Sequence, residues 1–380
     1  MKILITGGAG FIGSHLAVEI AKSGNDIVIL DNLSPQIHGV EGGFPVSLTS
    51  LAQCIKGDIC DRELLKGLIA DAEVVIHLAA ETGTGQSMYS VEHYANTNML
   101  GTATLLDVIV NHHPKNLKKL IVASSRAVYG EGEYRCSTHG HVFPVARTAF
   151  DMEAGRFEPK CPTCGEGVAA VATSEIAPFG PASFYGLTKQ TQEQMILMFA
   201  QTLGLDGFAL RYQNVYGPGQ SLTNPYTGIL AIFSNLVRQG KGLNIFEDGQ
   251  ESRDFVYIED VVRATAACAA KDVHGVMAVN VGSGIRTSVL EVAQAIVDHF
   301  GADVPIEVTG AFRLGDIRHN FADLSRLSSL TGFRPRWSFQ SGLKQFLTWA
   351  ERHPALDTGF DRSLSELEGR GLMRHSRSPH

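Results

Sequence analysis

No stretch of this sequence approaches the roughly 20 consecutive apolar residues that a membrane-spanning helix requires. No run of lysine or arginine exceeds two residues, and the formal net charge is −7. These absences speak against a membrane span, a lipid-binding face and a basic surface for duplex nucleic acid. Met1-Lys2 runs straight into ILITGGAGFIG, without the charged leader, apolar stretch and small-residue cleavage site of a signal peptide, so a cytoplasmic chain is expected. Cysteine is scarce, six in 380 residues, and in that reducing setting thiols or metal ligands are expected rather than disulfides. No internal repeat is present. What is there is a globular composition, 44% hydrophobic and 19% charged, able to bury a large core as one big or two intimate domains. The expected partner is a small molecule.

From residue 2 to residue 125, short β-branched runs alternate with helical stretches: KILITG, a helix from about Ser14, DIVILD, AQCIKGD, a helix near Asp61, EVVIHLA, a helix across Val91 to His113, and KKLIVASS. That alternation marks stacked βαβ units on a parallel sheet, so an α/β fold with a doubly wound sheet is predicted. Residues 131–175 break the rhythm with Cys, His, Pro, Gly and charge, and read as an insertion. Helical spacing resumes at Ser183 to Leu203, followed by the apolar strand GFALRYQNVYG and a Gly-Pro-Gly turn. Beyond Asn224, helices around Gly228–Gln239, Glu259–Ala270, Ser288–Phe300 and Gln340–Glu351 alternate with short strands. The predicted division is a nucleotide-binding domain over 1–190, rejoined by segments near 205–217 and 255–285, and a smaller α/β lobe over 191–356. Residues 357–380 are expected to be a tail with a short surface helix and a frayed end.

TGGAGFIG sets Gly7, Gly10 and Gly13 after a strand and before a helix, with Phe11 and Ile12 inside the same loop. The first glycine turns tightly, the second lets a diphosphate approach the backbone, and the third lets helix and strand pack closely. The amides and dipole of the helix start favour the diphosphate. The next strand ends in Asp31, where a carboxylate accepts from ribose hydroxyls. Its neighbours Asn32, Leu33 and Ser34 supply no cation for a 2′-phosphate, so NAD is predicted over NADP. Asp58 and Ile59, then Leu78, Ala79 and Ala80, end the following strands where the rest of the cofactor would lie. For Asp58 a helix-capping role is the competing reading.

YGLTK puts Tyr185 and Lys189 four apart, on one helical face. A phenol of ordinary pKa about 10 is a poor base until a neighbouring ammonium and a cationic nicotinamide ring stabilise its anion. Alone, such a pair is an ordinary helix surface. VASSRAVYG ends a predicted strand at the sheet's carboxyl edge, where Ser125 could bridge a substrate hydroxyl and Tyr185. Ser124 and Ser125 as plain strand-end caps is the alternative, weakened by the order in which cradle, serine and Tyr/Lys pair occur.

TGGAGFIG, Asp31, HLAA, NMLGT, SSRAVYG, YGLTK, RYQNVYGPGQ and ESRDFVYIED together make most of residues 1–350 resemble the extended short-chain dehydrogenase/reductase family, and within it the nucleoside-diphosphate-sugar epimerases. The resemblance implies a Rossmann-like sheet with a C-terminal α/β substrate-binding lobe. It implies Tyr185 as base, Lys189 on the nicotinamide ribose, Ser125 on the substrate hydroxyl, and Asn98 as a cofactor-positioning residue. Asn214 would contact the sugar-nucleotide phosphates, Arg253 would neutralise the diphosphate with its planar fork, and Arg313 of FRLGD would be a second phosphate or nucleotide arginine. Surface salt bridges are the competing reading for both arginines. A homodimer through the helix holding YGLTK and the long helix before KKLIVASS is also implied.

The family's shared first step oxidises C4 of the sugar to a ketone. Dehydratases of the family carry an acidic pair directly after the catalytic Ser or Thr, where this chain has Arg126 and Ala127. Elimination of water then has no obvious catalyst, and Asp31 disfavours reduction by external NADPH. C4 epimerisation remains. Residues 81–89, 124–132 and the Cys-containing insertion resemble those of epimerases acting on a dTDP-6-deoxyhexose such as dTDP-L-rhamnose, with Thr82, Ser87 and Arg126 expected at the sugar. A 4,6-dehydratase, a 4-ketosugar reductase and a catalytically silent NAD-binding scaffold are the alternatives; the intact Ser125, Tyr185 and Lys189 weigh against the last.

Within the insertion, Cys136-x-x-His139 and Cys161-x-x-Cys164 offer four ligands in two pairs, the set a tetrahedral structural zinc takes. His141 could replace His139. A metal would order a segment with little apolar material; the alternative is ordinary reduced thiols in a loop. Cys54, Cys60 and Cys268 are expected to be small buried residues.

Overall fold

The computed structural model describes residues 1–39, 42–222, 224, 228–355 and 359–377. Seven strands form its central sheet: β1 (Lys2–Thr6), β2 (Asp26–Asp31), β3 (Gln53–Lys56), β4 (Val74–His77), β5 (Lys119–Ser125), β6 (Asp206–Tyr212) and β7 (Val276–Val281). All neighbours pair in parallel, in the order β7-β6-β5-β4-β1-β2-β3. The order reverses between β1 and β4, and such a reversal opens a crevice at the carboxyl ends of the strands.

Strand residues alternate between two cores because successive side chains leave opposite faces. Ile3, Ile5 and Ile29 pack with Leu16 and Ile20 of helix α1 (Phe11–Ala21) on one side. Leu4, Val28 and Leu30 pack on the other with Leu65 of α2 (Arg62–Ile69), Leu105 and Ile109 of α3 (Gly101–His112) and Ile196 of α4 (Phe184–Leu203). The start of α4 is fixed by Ser183, whose hydroxyl accepts from the Gly186 amide at 3.1 Å. Its end is fixed by Gly204 in the left-handed region. The helix expected across Val91 to His113 is continuous but contains a π-turn over Ala95–Leu100.

GFALRYQNVYG, expected as one strand, breaks at Gln213. Asp206–Tyr212 stays in the large sheet, whereas Asn214–Tyr216 crosses to pair with Ser252–Tyr257. The second lobe is built on that pair, with Arg286–Ser288 and His319–Asn320 added to Ser252–Tyr257. Helices α5 (Ile229–Arg238), α7 (Val289–Phe300) and α8 (Phe339–Ala350) form its layer, while α6 (Ile258–Ala269) packs on α1 and returns the chain to the large sheet. The insertion makes its own three-stranded sheet from Tyr134–Cys136, Gly140–Val142 and Ala169–Ala170.

The C-terminal segment departs from the expected frayed tail. Helix α9 (Phe360–Gly369) leads into Met373–His375, which pairs antiparallel with Ala311–Arg313. Among the described residues, no helix is long and apolar enough to cross a membrane.

Candidate active site

The site lies at the carboxyl edge, on both sides of the reversal. β1 ends at Thr6 and passes to Gly7 at φ +69°, where a Cβ would meet the Ala79 amide nitrogen at 2.6 Å. Such an approach admits glycine alone. α1 starts from this loop without a side-chain cap, leaving its first amides to a ligand. Asp31 accepts from the amides of Ala9 (3.0 Å) and Leu33 (2.9 Å), so its carboxylate is fixed against the loop with lone pairs to spare. Gly7, Gly10, Phe11, Ile12, Gly13, Asp31, Asn32, Ile59, Leu78, Ala79 and Ala80 border one cavity of about 1010 Å³. That is the upper end of the ~300–1,000 Å³ of a small-molecule site. The close Gly-loop backbone, bare helix start and fixed carboxylate fit the diphosphate and ribose of a dinucleotide.

Asp58 is not on the cavity wall. It accepts from the Cys60 amide at 2.8 Å and from Asn32 Nδ2 at 3.4 Å, which makes it a brace for the turn, and the helix cap itself is Asp61. Asn98 is fully buried below the wall. The π-turn rotates it inward, where its Oδ1 accepts from the Glu81 amide (2.8 Å) and its Nδ2 donates to Thr188 Oγ1 (2.9 Å). It joins the loop after β4 to α4, so any influence on a ligand passes through those two elements. Ser87, expected beside the sugar, is also buried: its hydroxyl donates to the Thr84 carbonyl (2.7 Å) and accepts from the Tyr185 amide (3.0 Å). Thr82 does border the cavity.

Ser125 ends β5 and Tyr185 opens α4, and both face the cavity with Lys189. A Cβ on Gly186 would lie 2.6 Å from the Ala127 carbonyl oxygen, so glycine after the tyrosine lets α4 close on the turn after Ser125. Lys189 Nζ donates to the Ala123 carbonyl at 2.9 Å and stands 6.0 Å from the centre of the Tyr185 ring. Burial pushes its pKa down to about 7. Burial also pushes the Tyr185 phenol up, outweighing the Ser125 hydrogen bond and the Arg126 charge that pull it down. The surrounding protein therefore favours the neutral phenol. The two serines divide: Ser124 donates to Glu193 (2.6 Å) inside the Glu193–Arg211 pair and is structural, while Ser125 accepts from the Ala127 amide (3.2 Å) and stays open to the cavity.

The far end of the cavity is cationic. Arg253 Nη2 donates to Asp316 Oδ1 at 2.9 Å, and Arg313 Nη2 reaches Asp316 Oδ2 at 3.3 Å. Arg126 Nε donates to Asn214 Oδ1 at 2.5 Å. Burial opposes ionisation of Asp316, but Arg253, Arg313, Arg147 and Arg126 outweigh it and hold the carboxyl well below the usual range. Neither Arg253 nor Arg313 is a plain surface pair, since Arg253 is buried and both line the cavity.

Residues 3–150 and 162–282 match the NAD dependent epimerase/dehydratase family. The chain is 41% identical over 350 residues to dTDP-L-rhamnose 4-epimerase of Burkholderia thailandensis, covering 92% of this chain and 94% of that one. The chain belongs to this family. Another member, dTDP-glucose 4,6-dehydratase of an Actinoplanes species, is 26% identical, with 92% of this chain and 97% of the relative covered. Among solved members, UDP-glucuronic acid 4-epimerase from Bacillus cereus, in complex with UDP-glucuronic acid and NAD, superposes with a TM-score of 0.75 at 28% identity, covering 93% of this chain and 99% of that chain.

As in any family of sugar-nucleotide enzymes, motifs do not name every wall. Reading motifs missed Gln213 and Gln220, which line the cavity with buried polar atoms lacking a hydrogen-bond partner among the described residues. It also missed Asp316 and Glu251, whose carboxyl burial pushes up to about 8. RYQNVYGPGQ was the available signal for the two glutamines, and FRLGD for Asp316. The insertion, which spans the break between the two family-matched segments and overlaps both, gathers Cys136, His139, Cys161 and Cys164, whose ligand atoms all lie within 4.8 Å of one another. Cys136 Sγ is 3.8 Å from Cys164 Sγ and 3.6 Å from His139 Nδ1. His141 turns away to Glu133, 2.6 Å distant.

Proposed function

We propose that the protein inverts C4 of a nucleoside-diphosphate sugar, with a dTDP-6-deoxyhexose such as dTDP-L-rhamnose as the substrate best supported. The observation that carries this reading is the meeting of Ser125, Tyr185 and Lys189 in one cavity with a dinucleotide cradle at one end and Arg253 and Arg313 at the other. The extensive likeness to a dTDP-L-rhamnose 4-epimerase supports the substrate.

Gly7, Gly10, Gly13 and the start of α1 would hold the NAD diphosphate, and Asp31 the adenosine ribose. NAD, when bound, supplies a reversible two-electron acceptor for C4 and the positive charge that the buried phenol lacks. Tyr185 takes the proton of the C4 hydroxyl, with Ser125 bridging the same oxygen. Lys189 steadies the phenolate and would bind the nicotinamide ribose. Once the ketone has turned in the cavity, Tyr185 returns the proton to the C4 oxygen on the inverted centre. Arg253 and Arg313 hold the diphosphate and Asn214 and Arg126 its sugar-proximal side, so the leaving of the sugar is prevented while the ring turns. Arg126 and Ala127, in place of an acidic pair after Ser125, favour inversion over loss of water.

The four-ligand group in the insertion is assigned to a structural zinc. A tetrahedral ion with Zn–S bonds of about 2.3 Å separates its sulfurs by about 3.8 Å, which the cysteine spacing supports. His139 is the nitrogen ligand in this reading, and the reduced thiols suit the cytoplasm. The exposed Val91 and Leu100 ahead of α3, and Leu187 and Met198 on α4, support a homodimer through those helices.

Purified protein incubated with dTDP-, UDP-, GDP- and ADP-sugars, followed by NMR of the sugar ring, tests the reaction. C4 inversion without added cofactor and without deuterium uptake from solvent is expected. Deuterium at C3 or C5, or loss of water, would refute it.

A further inference from the structure

The C-terminal segment closes the sugar end of the cavity. Phe360, Leu364 and Leu367 of α9 line the cavity that holds Ser125 and Tyr185. Leu367 also walls a recess bounded by Thr84, Gly85, Met88, Arg126 and Ser183, directly beside the turn after Ser125. A Cβ on Gly85 would lie 3.9 Å from Leu367 Cδ1, an ordinary van der Waals contact, so the missing side chain of Gly85 leaves space about the size of a methyl facing Leu367. Leu367 is buried with Ala311 and Met373, and Tyr89, Phe246, Leu364 and Leu372 pack around it.

The segment is held from three sides. The Leu314 amide donates to the Leu372 carbonyl at 2.9 Å, next to the pairing of Met373 with Arg313. The Arg370 guanidinium stacks 4.3 Å from the Tyr89 ring centre. Arg374 and Arg377 each reach Glu153 of the insertion at 2.9 Å. The α9 side of this wall offers carbon to its ligand. The Ser363 hydroxyl donates to the Phe360 carbonyl at 2.7 Å; across the recess, Arg126 faces Asn214 and Arg313 faces Asp316 through Nη2, its Nε having no partner among the described residues.

We infer that the C-terminal segment reads the substituent on C5 of the hexose, with Leu367 as the selecting side chain, favouring the methyl of a 6-deoxy sugar over a hydroxymethyl. The inference rests on the C4-inversion reading of the same cavity. A hydroxyl brought against Leu367 loses its water without gaining a donor or acceptor from that side chain. An apolar pocket rejects an added hydroxyl by roughly 10- to 100-fold.

Calorimetric affinities and kcat/KM for dTDP-sugars carrying a C6 methyl or a C6 hydroxymethyl, measured on the full chain, decide it. The wild type should favour the methyl sugar by roughly 10- to 100-fold. Leu367→Gln should narrow that ratio about tenfold, with dTDP affinity and bound NAD unchanged, and Leu367→Met should restore it. If Leu367→Gln loses NAD through misfolding, Leu367→Ala serves, because the space it opens should also narrow the ratio. An unchanged ratio in a variant that retains NAD overturns the inference, as does a wild type without preference. A wild type that binds these sugars but inverts none overturns the functional reading instead, while the affinity ratios still decide Leu367.

Discussion

Arg147 ties the insertion to the Asp316 turn that pairs with Arg253 and Arg313, and replacing it by methionine should weaken nucleotide binding while sparing the chemical step. Its side chain is buried. Nε donates to Glu131 (3.0 Å), Nη1 to Glu247 (2.8 Å) and the Phe157 carbonyl (3.1 Å), and Nη2 to the Asp316 carbonyl (3.0 Å). Removing one partner of a buried ion pair costs about 3–5 kcal/mol. The lower end applies, because Glu247 keeps Arg318 at 2.9 Å and Glu131 keeps the Arg318 amide at 2.7 Å. Of these hydrogen bonds, the one to the Asp316 carbonyl bears directly on the turn that carries the counter-ion of Arg253 and Arg313. A lost hydrogen bond of about 1–1.5 kcal/mol corresponds to about a tenfold change in affinity. Calorimetric titration with dTDP and steady-state C4 inversion should show Kd and KM raised about tenfold, with kcat and bound NAD close to wild type. Arg147→Lys should recover part of the binding. The defect in stability should deepen with rising pH, because burial already raises the Glu131 carboxyl and the loss of Arg147 raises it further, so its ionisation becomes costlier in the folded state. A variant that is less stable but binds dTDP normally would refute the coupling, as would a fall in kcat at constant KM.

Tyr185→Phe should keep bound NAD and lower kcat by about 10²–10⁴, the usual contribution of general acid–base catalysis, as measured by NMR-followed turnover. Cys161→Ser should lower the metal content of purified protein and raise KM for the sugar nucleotide, since Glu158, three residues earlier, pairs with Arg318 at 2.6 Å; a variant with its metal retained would count against the ligand set. His77, buried between Thr6 (2.7 Å) and Thr102 (2.9 Å), has its pKa pushed down to about 3 by burial and the nearby Lys189 charge. The unfolded chain therefore binds a proton on this residue below its ordinary pKa of about 6.5 that the folded chain refuses. Stability is lost as pH falls from that value towards 3, by up to about 1.4 kcal/mol per pH unit. His77→Gln should flatten acid-unfolding curves over that window.

The cradle and the Tyr185–Lys189 pair were legible because their information is local: glycines at 7, 10 and 13, or a phenol and an amine one helical turn apart, specify their own geometry. Ser125 was legible through its place at a strand end. Other residues depend on partners distant in the chain. Helical periodicity puts Asn98 on a face, yet it cannot register the additional residue of the π-turn that aims it at Glu81 and Thr188. Ser87 looked available as a polar residue in a small-residue loop, but its hydroxyl is spent on the start of α4. Asp316 acquires its meaning from Arg253, 63 residues earlier. The C-terminal helix read as a surface element because its apolar stripe is narrow, and what buries it comes from three separate parts of the fold. The break at Gln213 was hidden because strand-forming residues, Tyr212 before it and Val215 and Tyr216 after it, stand on both sides.

The wide turn at Ala95–Leu100 carries a conflict between durability and competence. A π-turn holds one residue more than a regular helix accommodates, and its hydrogen bonds are correspondingly poorer. Deleting a single residue there would regularise the rod and should harden the protein against heat. It would also swing the Asn98 amide around the axis by about 100°, cutting the strut between the loop after β4 and the helix of Tyr185. Selection for thermal endurance alone would thus push the chain towards a sturdier shell with a slackened centre.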